Sequence, residues 1–154
     1  MGAERVKGEG SSSDGAKNLI RCIIGPGRHE VQTFACAVKI TMYLLFHEKT
    51  AQDDIVVTRD VYSRVAEQLG KGERTVSRQI QRMGNLCWEH LGTEGQKTYI
   101  GREMKDIHAP SDMLFYLAYY SYFGKPYYEV LEKQPGLLFG KIEEEISQSV
   151  VTEC

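Results

Sequence analysis

The segment from Thr58 to Leu91 contains two successive amphipathic patterns and constrains the fold more than any other part of the chain. Gly70-Lys71-Gly72 separates the two patterns, and glycine suits such a break because it enters the left-handed backbone region at little cost. A short helix, a tight turn and a longer helix form the layout of a helix-turn-helix unit. We therefore predict a first helix ending at Leu69 and a second helix over about residues 73 to 90.

The first of these helices is predicted to begin at Thr58, whose hydroxyl can cap the free N–H groups of a helix start. Asp60 in the first turn suits the positive end of the helix dipole. Ala66 and Gly70 hold the relative positions at which a helix-turn-helix unit requires a small residue and a turn glycine. The small side chain at Ala66 allows the two helices to pack closely.

A rotation of about 100° per residue divides the second predicted helix into an apolar and a polar side. The apolar side contains Val76, Ile80, Met83, Cys87 and Leu91. The polar side carries arginines at steps of four. Arginine can donate two parallel hydrogen bonds to a guanine base, and glutamine can form two hydrogen bonds with an adenine base. Lys71 in the turn is placed to meet a phosphate. The predicted DNA-binding residues are Lys71, Arg74, Thr75, Ser77, Arg78, Gln81 and Arg82.

A solvated surface of paired charges is the competing interpretation of the same residues. Asp60, Glu67 and Glu73 are near enough in sequence to neutralise some of the arginines. The formal net charge of −2 gives no general attraction to nucleic acid, so binding has to come from local clustering of arginine and lysine. The DNA-binding prediction therefore requires that the arginine row is free.

The rest of the chain predicts further helices, so the expected fold class is all-α, a compact bundle of about six helices containing the helix-turn-helix. The further helices are expected at about residues 18 to 24, 29 to 48, 112 to 123, 127 to 133 and 137 to 150. Residues 55 to 57 and 98 to 100 are expected to be briefly extended, and residues 92 to 109 irregular. The predicted organisation is a flexible tail at 1–17, a helical domain at 18–140 and an acidic helix or tail at 141–154.

The stretch from Phe115 to Tyr128 holds six of the nine tyrosines. Packing in the core is the simpler interpretation. Tyrosine also suits partly exposed interfaces, because it combines a large ring with a hydroxyl that needs a partner. The alternative function is therefore a protein-interaction adaptor that is derived from a helix-turn-helix and binds through these aromatic C-terminal helices.

Enzymatic activity is not expected, because the chain has no nucleophile elbow, phosphate loop or H-E-x-x-H pattern. No cofactor is expected. Cys22, Cys36 and Cys87 lie in apolar surroundings and are expected to be reduced core residues. Cys87 and His90 have the spacing of two zinc ligands, but no second pair completes a metal site.

No apolar run approaches the length needed to span a bilayer, so no membrane partner is expected. The opening residues MGAERVKGEG lack the apolar core of a secretory signal. The expected location is the cytoplasm.

The helix-turn-helix segment resembles a known family, the C-terminal DNA-binding effector domains of the sporulation master response regulator, stage zero sporulation protein A. The matching residues are Thr58, Tyr62, Ala66, the Val76-x-Arg78-x-Ile80 pattern and Trp88. Ile23-Ile24-Gly25-Pro26 and Pro110-Ser111-Asp112-x-x-Phe115 extend the resemblance, which covers about residues 19 to 125 and is best over 58 to 91.

This resemblance implies a bundle of about six helices whose recognition helix reads the major groove of double-stranded DNA. It also implies two copies in tandem on repeated sites and a contact with the RNA polymerase sigma factor. Arg78 stands where the family has a DNA-contacting arginine, whereas Thr75, Ser77 and Gln81 replace an arginine, a glutamate and an arginine. A different target sequence is therefore expected. Because the resemblance begins at about residue 19, we expect a stand-alone domain with no receiver and no aspartyl-phosphate switch.

Overall fold

Helices make up most of the structure, a computed structural model that describes residues 15–27 and 29–139. The helices are α1 (15–24), α2 (Gln32–Met42), α3 (Ser63–Leu69), α4 (Glu73–Gly95), α5 (Asp112–Phe123), α6 (Tyr127–Lys133) and α7 (Gly136–Phe139). Shorter π-helical or 3-10 turns lie at Tyr43–His47, Gln52–Asp54, Val57–Tyr62 and Gln96–Ile100. No strand occurs among the described residues, which confirms the predicted all-α class.

Helices α2 and α5 pack against each other at the centre of the bundle. Their side chains with no solvent exposure include Phe34, Ala37, Val38, Leu114, Leu117, Ala118 and Tyr119. An α-helix that is apolar on all sides has to be covered on all sides. This requirement explains why α5 is surrounded by the other helices.

The predicted helix-turn-helix is formed by α3, the turn at residues 70–72 and α4. Gly70 ends α3 in the left-handed conformation, with φ 66° and ψ 37°. The N–H of Lys71 donates to the Ala66 carbonyl at 3.0 Å, which closes the end of α3. Gly72 is extended, and its carbonyl accepts a 3.0 Å hydrogen bond from the N–H of Val76 in the first turn of α4.

Gly84 is a second glycine with a defined task, because the backbone before α5 lies against it. A Cβ added at Gly84 would overlap the carbonyl group of Pro110, which is backbone and cannot rotate aside. Only the absence of a side chain allows α4 and this segment to approach so closely.

The start of the first helix of the unit was predicted wrongly. Helical backbone begins at Val57, and Val56 is the flanking residue, so Thr58 lies inside the first turn and does not cap it. Asp60 supplies the contact instead, since its carboxylate accepts a 2.8 Å hydrogen bond from the Val56 N–H. Ile55 and Val56 are extended without forming a strand.

The prediction of irregular structure over residues 92 to 109 is wrong for its first part. Gly92 interrupts the helix with φ 61°, but helical backbone resumes and ends only at Ile100, so residues 98 to 100 are not extended. Ile100, at the end of this second helical piece, is buried in the core. Gln96 stabilises its end, because the side-chain oxygen accepts a 2.7 Å hydrogen bond from the Met104 N–H.

Both ends of the chain differ from the prediction or lie outside the described residues. α1 begins at residue 15 rather than 18, because Ala16 and Ile20, one turn apart, are both buried in the core. The predicted tail up to residue 14 and the predicted acidic segment at 141–154 lie outside the described residues, as does the predicted last helix beyond residue 139.

The cysteines were only partly predicted correctly. Cys87 is buried and Cys36 is half-buried, but Cys22 is exposed rather than in the core, because its position on α1 faces outward. No helix within residues 15–27 and 29–139 has both the length and the apolar character needed to cross a bilayer.

Candidate nucleic-acid interface

The outer face of α4 carries three exposed arginines in one row: Arg74, Arg78 and Arg82. Successive members are separated by one helical turn, about 6 Å along the axis. None of the three guanidinium groups forms an ion pair within the described part of the chain. We call these three residues the arginine row. Their free donors are directed to solvent, which is the condition that DNA binding requires.

The two ends of the arginine row differ in their surroundings. Arg82 lines a cleft together with Glu30 and Glu89, although neither carboxylate pairs with it. Arg74 follows Glu73, which is also exposed. Arg78 lies between them, at the position that the family resemblance singles out.

The smaller polar residues of the predicted site lie beside the arginine row. Thr75 and Ser77 are half-exposed, and Gln81 is exposed. The Gln81 side-chain nitrogen donates to the Ser77 hydroxyl at 3.1 Å. This contact joins two successive turns on the exposed side of α4.

Lys71 does not extend freely from the turn. Its Nζ donates to the Thr33 hydroxyl at 2.7 Å and to Gln79 Oε1 at 3.0 Å, and it lies 3.7 Å from Glu30 Oε2. The Thr33 hydroxyl in turn donates to Gln79 Oε1 at 2.7 Å. We call Lys71, Thr33, Gln79 and Glu30 the Lys71 cluster. It ties the turn to the start of α2, so the phosphate contact predicted for Lys71 would require this cluster to open.

Two other arginines near the unit are engaged by carboxylates. Arg59 donates to both carboxylate oxygens of Asp60, at 2.7 and 2.9 Å, and this hydrogen bonding lowers the pKa of Asp60. Arg64 Nη1 lies 4.0 Å from Glu48 Oε2. Of the two acidic residues predicted to compete for the arginine row from this helix, Asp60 is therefore occupied by its neighbour. Glu67 is exposed and forms no ion pair among the described residues.

The apolar side chains on the inner face of α4 are buried, and their packing holds the outer face of the helix toward solvent. Val76, Ile80 and Cys87 have no exposure, and Met83 and Leu91 are buried beside them. Burial raises the pKa of the Cys87 thiol to about 12, which keeps it protonated and apolar in character. Trp88, which a simple helical projection places on the polar side, is half-buried and packs against the core.

The aromatic C-terminal helices are largely internal. Gln52 Oε1 accepts hydrogen bonds from the hydroxyls of Tyr119 and Tyr127, each at 3.1 Å, and joins α5 and α6 to the turn at residues 52–54. Tyr122 is the exception on α5, with 55% of its surface exposed. Its ring stacks on Phe46 at a centroid distance of 4.2 Å.

No group of three potential metal ligands occurs among the residues that the structure describes. Cys87 is buried, whereas His90 is exposed. The two residues therefore do not form a shared pair of ligands at the surface.

Comparison with known proteins adds no family to this picture. No protein-family model matches the chain, and no curated protein or solved structure matches it significantly. The resemblance to the sporulation effector domains therefore stays a prediction that depends on the residues quoted for it.

One cluster of positively charged side chains was not predicted from the sequence. A groove between α1, α2 and α3 collects Lys17, Lys39 and Arg64. These residues come from three helices and form no local motif, so only the packing of the helices brings them together.

Proposed function

We propose that this chain is a sequence-specific DNA-binding transcription regulator that inserts α4 into the major groove. The observation that carries the proposal is the arginine row, exposed and free of ion pairs among the described residues, directly after the turn at Gly70. Arginine, glutamine and small hydroxyl side chains on one exposed helix face supply donors for both phosphates and base edges.

The inner face of α4 supports this proposal. A recognition helix has to hold its donors in a fixed direction, and the buried side chains of α4 provide that support through packing. In this proposal Lys71 acts from the turn by holding α2 and α4 together, while Arg74, Arg78 and Arg82 meet the duplex. Thr75, Ser77 and Gln81 supply the shorter contacts.

The experiment compares the wild type with the double variant Arg78→Ala, Arg82→Ala. A binding sequence is first selected from random duplex DNA, and affinity is then measured by fluorescence anisotropy over a range of salt concentrations. Each phosphate contact contributes about 0.9 to the slope of log affinity against log salt. We expect the variant to bind more weakly and its slope to fall by up to about 2 if both arginines meet phosphates.

The matched control is the variant Lys105→Ala, Lys125→Ala, which removes the same number of positive charges from exposed positions elsewhere. We expect it to retain the affinity and most of the slope, because these lysines lie outside α4. Unfolding in denaturant should show that both variants are stable to within about 0.5 kcal/mol of the wild type. Equal affinity and slope for the wild type and the arginine variant would reject the DNA-binding proposal.

The resemblance extends the proposal to two copies in tandem on repeated sites and to a contact with the sigma factor of RNA polymerase. The number of protein molecules bound per selected duplex tests the first point.

A protein-interaction adaptor is the second candidate function, and the exposed Tyr122 stacked on Phe46 is the observation that favours it. Partner binding that is lost in Tyr122→Ala but kept in the arginine variant would support the adaptor.

A further inference from the structure

The groove between α1, α2 and α3 has the size of a small-molecule site. Its volume is about 390 Å³, within the usual range for ligand pockets of roughly 300–1,000 Å³. It lies on the side of α3 that faces α1 and α2, so it is built from different residues than the arginine row.

Three cations surround this groove, and no carboxylate lines it. Lys17 comes from α1, Lys39 from α2 and Arg64 from α3. Arg64 has one distant carboxylate neighbour, Glu48 at 4.0 Å, and both side chains are substantially exposed, so this pair is weak and can yield to a ligand. Like charges that converge on one concave surface favour an anion.

The walls of the groove are apolar or neutral. Ile40 is buried and Leu69 is half-buried, and both present hydrocarbon surface to the groove. Burial raises the pKa of the Cys36 thiol, so the thiol adds no negative charge near neutral pH. Its Sγ donates to Gln68 Oε1 at 3.4 Å, and this contact leaves the two N–H donors of the Gln68 amide available to a bound group.

We propose that this groove binds a small amphipathic anion. The apolar body of the ligand lies on Ile40 and Leu69, and its carboxylate or phosphate head group lies among Lys17, Lys39 and Arg64. The Gln68 amide donates a hydrogen bond to the head group or to a polar atom beside it. Neither the arginine row nor the Lys71 cluster contributes to this site.

The experiment uses a matched pair of dyes. Anilinonaphthalene sulfonate carries an anionic head on an aromatic body, and N-phenylnaphthylamine has the same body without the charge. Fluorescence titration of the full chain should show saturable binding of the anionic dye. The uncharged dye should bind roughly tenfold more weakly, because charge-assisted hydrogen bonds to the head group are lost.

Variants then place the dye in this groove. Lys39→Gln and Arg64→Gln should each weaken the anionic dye by about threefold to fivefold and leave the uncharged dye unchanged, because exposed charge pairs contribute modestly. Lys105→Gln, an exposed lysine elsewhere, is the control and should change neither dye. Gln68→Trp adds a large ring at an exposed wall position, so it should reduce binding of both dyes while circular dichroism shows an intact helical fold.

Equal affinity for the two dyes, or an anionic dye unaffected by Lys39→Gln, Arg64→Gln and Gln68→Trp, would overturn the assignment. Displacement of the bound dye by benzoate or by phenyl phosphate supports it and shows which head group the site prefers, and failure of both to displace the dye counts against it. Dye binding is measured without DNA, so this proposal and the DNA-binding proposal can fail independently.

Discussion

Helices α4 and α5 both carry many large side chains but distribute them in opposite ways. On α4 the apolar residues share one face, and the arginine row occupies the other. On α5 every residue from Met113 to Tyr119 is buried, so no side is left for solvent in that stretch. A helix with one polar face can serve both packing and recognition, whereas a helix that is apolar all round serves the core.

Because of this difference, substitutions in α5 should mainly change stability, and substitutions in the arginine row should mainly change binding. The buried side chains of α5 pack in the core of the folded protein, so their truncation should lower the free energy of unfolding. The arginine row makes no ion pair among the described residues, so its removal should cost little stability and act on DNA binding. The following predictions test this separation, beginning with the largest expected change in stability.

Tyr119→Ala should lower the free energy of unfolding by about 3–5 kcal/mol, the usual cost of truncating a large core aromatic residue. Tyr119 has no exposure, and its hydroxyl donates to Gln52. Tyr122→Ala is the matched control on the same helix and should cost less than about 1 kcal/mol, because this residue is 55% exposed. Denaturant unfolding measures both. Similar losses for the two variants would contradict the difference in burial between Tyr119 and Tyr122.

The buried tyrosines should make the fold sensitive to alkali. Burial raises the pKa of Tyr127 to about 12, above the ordinary tyrosine value of 10.0, and also raises the pKa of Tyr119. The raised pKa belongs to the folded state, so the folded protein keeps the full stability contributed by each neutral tyrosine as long as the pH is below the ordinary tyrosine pKa. This contribution is lost as the pH rises toward the folded pKa, at about 1.4 kcal/mol per pH unit for each tyrosine.

The test is unfolding in denaturant of the wild type and of Tyr127→Phe between pH 9 and pH 12. This range ends at the pKa of about 12 that burial gives Tyr127. The wild type should lose stability more steeply over this range than Tyr127→Phe, which has no phenol to ionise at that position. Parallel curves for the two proteins would show that Tyr127 titrates normally in the folded state.

Lys71→Met should lower the free energy of unfolding by about 1 kcal/mol, since it removes hydrogen bonds to Thr33 and Gln79 but keeps much of the side-chain length. DNA affinity should fall with little change in the salt slope, because Lys71 positions α4 rather than neutralising a phosphate. Urea unfolding and salt-dependent anisotropy give the two values. A slope reduced by about 0.9 without a loss of stability would instead support the direct phosphate contact predicted from the sequence.

The helix-turn-helix could be predicted from sequence because its signals are local. Apolar residues at steps of three and four define α3 and α4, and Gly70 marks the turn at which the backbone becomes left-handed. The amphipathic pattern also predicted that the arginine row faces away from the core. The aromatic run predicted a packed helix, although its pattern could not separate the exposed Tyr122 from the buried Tyr119.

The errors arose where distant residues decide the local structure. Gly92 predicts the end of a helix when only its sequence neighbours are considered, but helical backbone resumes beyond it and brings Ile100 into the core. Lys71 looks free in the turn, whereas its partner Thr33 lies 38 residues away in sequence. The groove at Lys39 and Arg64 depends on the packing of three helices, which no short pattern encodes.

The contact between Gly84 and Pro110 sets how closely α4 approaches the segment before α5. Gly84 lies half a turn beyond Arg82 on the buried side of α4, and the Pro110 carbonyl lies directly against it. Any side chain added at Gly84 would therefore push the middle of α4 away from Pro110 and displace the arginine row on its opposite side.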